Sequence, residues 1–125
     1  MSESIPSSSE LLNTLRKFLE QEIAPQVNAR SAYMLKIASN LLQILDRENH
    51  LGTKALTTEL ASLQALLGRT DSAENTKELR RKLCSQIQTG DVNLQDPALW
   101  KHLLSTTQSQ LNIDNPRYQF APEVF

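Results

Sequence analysis

The sequence predicts an all-α fold, and three observations carry that expectation. Twenty-one leucines and ten alanines stand against three valines; straight and γ-branched side chains keep their rotamer freedom in a helix, whereas β-branched ones lose it. Apolar residues recur at three- and four-residue intervals in successive segments. Gly52, Gly68 and Gly90, with Pro6, Pro25 and Pro97, fall between those segments, where helices start and stop. A length of 125 residues fits one helical domain over 1–125, large enough for a core without metal or disulfide staples. The architecture expected is an up-down bundle of about five helices, with residues 1–6 disordered and 113–125 an extended aromatic tail. An alternative is a three-helix core with the fourth and fifth helices as a peripheral hairpin.

Each element has its own signals. Ser7 and Glu10 have capping-box spacing and open a first helix. Its Leu11, Leu12, Leu15, Phe18, Leu19 and Ile23 fall within an arc of about 140°, and Pro25 ends it. The second helix runs from Asn28, as N-cap, to about His50. Its apolar set, from Tyr33 to Leu45, spreads over about 200°, so it reads as a central helix packed on two sides, with Gly52 as a left-handed terminator. A third helix, about 54–67, stops at Gly68, and residues 69–75 form a polar loop. A fourth, about 76–89, places Leu79, Leu83 and Ile87 in register and stops at Gly90. Asp96-Pro97 starts the fifth, which turns Leu99, Trp100, Leu103, Leu104, Thr107 and Leu111 inward and ends near Asn112.

Little in the chain speaks for chemistry. Thirteen basic and fourteen acidic residues leave a formal −1, so no global field draws nucleic acid or an anionic membrane. No apolar stretch approaches the roughly 18 residues of a membrane span, no secretory signal opens the chain, and a single cysteine, Cys84, fits a reducing compartment. The expectation is a cytoplasmic protein. Three scattered glycines build no phosphate loop. His50 and His102 lack a second ligand at helical spacing, so no metal or cofactor is expected and both read as surface or helix-end histidines. Cys84, near a helix C-terminus, reads as a buried or half-buried structural thiol. Lys77, Arg80, Arg81 and Lys82 read as a solvated face with Glu78 paired to Lys82.

Three features stand out as partner-binding candidates. Arg30 and Glu48 sit at opposite ends of the second helix, each at the dipole end that disfavours its charge. They share an angular stripe with Ile37 and Leu41, expected to be the packed side of the helix, but lie about 27 Å apart, too far to pair with each other. The expectation is that each pairs with a neighbour, Glu20 or Glu22 for Arg30 and Arg117 for Glu48; the other reading is an anchor for a partner or ligand. Asn40, at the edge of the arc, reads as a buried hydrogen-bonding residue. The tail gathers Arg117, Tyr118, Phe120 and Phe125, three of the six aromatics of the chain, and either folds back over the bundle or inserts into a partner.

Residues 10–25 (ELLNTLRKFLEQEIAP), the segment 28–51 with Arg30, Asn40 and Glu48, and residues 96–118 (DPALWKHLLSTTQSQLNIDNPRY) resemble a bacterial family of small helical proteins of unknown function. The resemblance is weakest across 52–78. It implies genes placed beside an aminoglycoside-phosphotransferase-like kinase and an acyl-CoA dehydrogenase-like enzyme. It therefore implies a non-catalytic accessory subunit for a kinase acting on hydroxyacyl-CoA, with a homo-oligomer also open. The alternative function is a small bundle that binds acyl-CoA directly, between the second and fifth helices.

Overall fold

The structure, a computed structural model, describes residues 5–68 and 74–118. Among these the chain forms four α-helices and no strand: α1 (Ser8–Phe18), α2 (Ala29–Leu67), α3 (Thr76–Thr89) and α4 (Pro97–Asp114). A π-helical turn, Leu19–Ile23, and a 3-10 turn, Ala24–Gln26, join α1 to α2. The chain divides into two compact units, residues 1–52 and 53–125, and the boundary falls inside α2.

Local chemistry fixes most of the ends. The Ser7 hydroxyl accepts from the Glu10 N–H at 3.2 Å and caps α1. α1 does not run as an α-helix to Pro25. Pro25 has no N–H to return to Gln21, and the ladder opens one residue early into i→i+5 spacing, with the Ala24 N–H reaching Leu19 O. The Gln26 side chain then donates to the Glu22 carbonyl at 2.6 Å. Asn28 Oδ1 accepts from the Ser31 N–H at 2.8 Å and starts α2.

The expected break at Gly52 is absent: the second and third expected helices are one, and positive φ among the described glycines occurs at Gly68 and Gly90 alone. Glycine inside a helix costs only about 1 kcal/mol against alanine, and with no proline nearby a single residue does not stop a strong helical run. Gly68 ends α2 at φ 66°. Gly90 ends α3 at φ 82°, where its N–H bonds to Ile87 O and that of Asp91 to Gln86 O, the paired closure that needs a left-handed residue. Asp96 caps α4, its carboxylate accepting from Ala98 at 3.0 Å.

In the N-terminal unit, α1 and the first part of α2 form an antiparallel hairpin: Ser9 bonds to His50 at one end and Ser39 to Glu20 at the other. Ser39 is the one buried residue of this unit among those described. The first part of α2 is therefore not the central, two-sided helix expected. In the C-terminal unit, residues 53–67 of α2 pack with α3 and α4 around Leu63, Leu79, Leu83 and Leu99. Here α3 and α4 belong to the core and do not form a peripheral hairpin. The chain's buried leucine cluster is thus supplied by the expected third, fourth and fifth helices.

Two expectations about α4 change. Trp100 is exposed and donates through Nε1 to Leu94 O at 2.6 Å, and Thr107 is exposed, its hydroxyl returned to Leu103 O. His102 and Ile113 are buried instead, on the line that continues from Leu99. The start of the expected extended tail is helical through Asp114, and Tyr118 N–H closes a turn on Asn115 O at 3.0 Å. The remainder of the tail, with Phe120 and Phe125, lies outside the described residues, as does most of residues 1–6.

Candidate functional site

Each unit carries one feature beyond its packing. In the N-terminal unit it is apolar surface. Tyr33, Met34, Ile37, Leu41 and Leu45 on α2 are 41–65% exposed, and Leu11, Leu15 and Phe18 on α1 are 47–56% exposed. The inner seam of the hairpin is polar at its centre. The Ser39 hydroxyl donates to Glu20, and this bond, more than the neighbouring Arg16, holds the Glu20 carboxyl below its ordinary value. Arg16 also reaches Asn13 at 2.7 Å. A small groove of about 130 Å3 runs along this seam past Arg16, Asp46 and Arg47. In it Asp46 Oδ1 is buried without a hydrogen-bond partner, and His50 Nε2 lies 3.4 Å away, an ion pair once that imidazole is protonated.

The sequence-selected residues on this helix fall on the outer side. Arg30 and Glu48 are exposed, and neither is ion-paired within the N-terminal unit. The expected pairing of Arg30 with Glu20 or Glu22 does not form, because Glu20 is held by Ser39 and Arg16. Asn40 is exposed rather than buried; its neighbour Ser39 occupies the angular position that faces α1. At the other end of the chain, Arg117 and Tyr118 are exposed beyond the last turn of α4.

In the C-terminal unit the feature is a buried polar cluster that periodicity does not reveal. Glu59, 8% exposed, receives both arms of the Arg80 guanidinium at 2.5 Å each. This fork raises the Arg80 pKa above its ordinary value. One turn along α2, Ser62 Oγ shares a hydrogen bond of 2.6 Å with His102 Nδ1. His102 is buried, contrary to its reading as a surface histidine, and burial lowers its pKa against the opposing pull of Glu59. Lys77, Arg80 and Arg81 are exposed, as a solvated face requires, but Arg80 is also anchored to Glu59, and Lys82 pairs with Glu74 in place of Glu78. Cys84 is exposed, so it has no packing role of the kind expected.

Ser62 and His102 line a groove of about 470 Å3 together with Thr58, Leu66, Asp96 and Lys101. The geometry departs from a Ser–His–carboxylate relay: Glu59 directs both its oxygens at Arg80 and not at the imidazole. What the cluster provides is a neutral, oriented imidazole in the wall of a groove with one lysine near its rim. Among the described residues no group of histidine, cysteine, aspartate and glutamate side chains could hold a metal ion. Among them, too, no helix is long and apolar enough to cross a membrane.

No curated protein and no solved structure matches the chain. A family described as a domain of unknown function (DUF6285) matches residues 25–118. That span starts at Pro25, within the 3-10 turn, and takes in all of α2, the leucine core and the Glu59–Arg80–Ser62–His102 cluster, and the chain belongs to the DUF6285 family.

Proposed function

We propose that this protein is a non-catalytic accessory subunit, acting in the cytoplasm by association with an enzyme of the phosphotransferase fold that phosphorylates hydroxyacyl-CoA. The observation that carries the reading is the N-terminal hairpin: it leaves eight large apolar side chains of α1 and α2 about half exposed or more while burying one serine. They form two stripes, one on the outer side of each helix, and exposed apolar surface of that extent marks association faces. The kinase as partner, and its gene placed beside that of this protein, rest on the family resemblance in residues 10–25, 28–51 and 96–118. Tyr118 and Arg117, exposed past α4 in the C-terminal unit, are a separate candidate for contact. The test is co-expression with the neighbouring kinase. The expected result is one complex through affinity capture and gel filtration, and a kinase less soluble or less active when made alone. A kinase fully active alone that never co-elutes with this protein overturns the reading.

One observation favours a second reading, direct binding of acyl-CoA. The groove of about 470 Å3 beside His102 has the size of a ligand pocket, with Lys101 available to a phosphate. It lies between residues 58–66 and α4, the expected third and fifth helices, and not between the second and fifth. A ligand that binds only the folded chain raises the melting temperature. Titration with acyl-CoA of short, medium and long chain is expected to do so here, and no shift at any length removes this reading.

A further inference from the structure

We propose that the outer face of α2 in the N-terminal unit pairs with the same face of a second copy, antiparallel, about a two-fold axis level with residue 39 on the side of α2 opposite Ser39. This rests on reading the hairpin as an association surface and names the occupant of its α2 stripe.

At 100° per residue, Arg30, Ile37, Leu41 and Glu48 form a stripe on the side of α2 opposite Ser39, the residue buried against α1. An isologous contact requires each residue to meet its mirror position on the partner. Reflection about residue 39 exchanges Ile37 with Leu41 and Tyr33 with Leu45, so apolar meets apolar. It also exchanges Arg30 with Glu48, so a cation meets an anion at both ends. Each of these charges is exposed and unpaired within its own unit; Arg30 also lies in the first turn of α2, where the dipole disfavours a cation, whereas Glu48, with α2 continuing to Leu67, is mid-helix. A parallel pairing would instead set Arg30 on Arg30 and Glu48 on Glu48.

Area and topology agree with this occupant. Five side chains at 41–65% exposure, with the two charged ends, amount to roughly 700 Å2, close to the ~800 Å2 per partner of a standard interface. Two hairpins joined this way cover α2 on both sides, by α1 on the Ser39 side and by the second copy on the other. The stripe Leu11, Leu15 and Phe18 on α1 and the residues after α4 are not used by the pairing and remain for the enzyme.

The test is sedimentation equilibrium of the full chain. Wild type is expected to be a dimer at micromolar concentration. Arg30→Glu and Glu48→Arg each set like charges at both ends and should weaken the dimer about tenfold. The double variant Arg30→Glu/Glu48→Arg restores opposite charges and should return to within about threefold of wild type. Ile37→Asp, at an exposed position beside the axis, should give a monomer with unchanged helix content. A wild type monomeric at about 100 µM, or a double variant no tighter than the single ones, overturns the pairing. Capture of the kinase by wild type and by Ile37→Asp is scored separately. A monomeric wild type that still captures the kinase defeats the self-pairing alone, and a dimer that captures none defeats the accessory reading alone.

Discussion

Replacing Arg80 with alanine should cost the C-terminal unit about 2–3 kcal/mol. Arg80 supplies two charge-assisted hydrogen bonds to Glu59, whose side chain is 9% exposed. Removing one member of a buried ion pair typically costs about 3–5 kcal/mol, because the remaining charge is stranded. The Arg80 side chain is itself 50% exposed, so water enters the vacated space and lowers the figure. Against a total stability of roughly 5–15 kcal/mol, such a loss is easily measured. Urea unfolding followed by circular dichroism reads it as a lower midpoint at constant slope. Arg80→Lys keeps the charge but not the fork and should fall between wild type and alanine. Glu59→Met/Arg80→Met leaves no stranded charge and should lie within about 1 kcal/mol of wild type. A cost for Arg80→Ala below about 1 kcal/mol, or a double variant as unstable as the single one, refutes the idea that desolvated Glu59 depends on this partner.

Leu63, fully buried among the leucines of the C-terminal unit, should cost about 3–5 kcal/mol as Leu63→Ala in the same unfolding assay. Gly52→Ala should stabilise by about 0.5–1 kcal/mol, since the new Cβ meets only the flexible Glu48 Cγ at 3.4 Å; Gly90→Ala should destabilise by about 1 kcal/mol, because φ is 82° there. His102 also predicts a pH dependence. Its folded pKa lies below the ordinary 6.5, so the unfolded chain takes up the proton first. The stability it contributes is complete above that value and is lost as pH falls through 6.5 toward the folded pKa. Melting temperature measured from pH 7.5 to 5 should fall more for wild type than for His102→Asn, and parallel curves would contradict the assignment.

Helix limits were legible in the sequence wherever a terminus depends on adjacent residues. Ser7, Asn28 and Asp96 cap as their side chains allow, and Gly68 and Gly90 stop helices as expected. Gly52 misled because a glycine at a helix end and one inside a helix look alike locally; the choice depends on what packs along both sides. The polar cluster was not legible for a different reason. Glu59 and Arg80 are 21 positions apart, and Ser62 and His102 are 40 apart, distances at which periodicity carries no information. The spacing of three between Glu59 and Ser62, with His102 three beyond Leu99, is the signal that was present. For the N-terminal hairpin, periodicity found the apolar arc correctly but could not say which part of it faces α1. Ser39 settles that, because a serine donating to Glu20 marks the inner side.

The π-turn at Leu19–Ile23 gives the hairpin an uneven tolerance to changes in chain length. It holds one residue more than an α-helix needs for the same turn. A single deletion within it can be absorbed by a return to i→i+4 bonding, leaving α1 and the Asn28 cap in place. The same deletion between Tyr33 and Leu45 would turn everything downstream by about 100° and carry Glu48 off the stripe it shares with Arg30. A one-residue deletion within 19–23 is therefore expected to leave the hairpin paired, and one within 33–45 to abolish the self-pairing of α2.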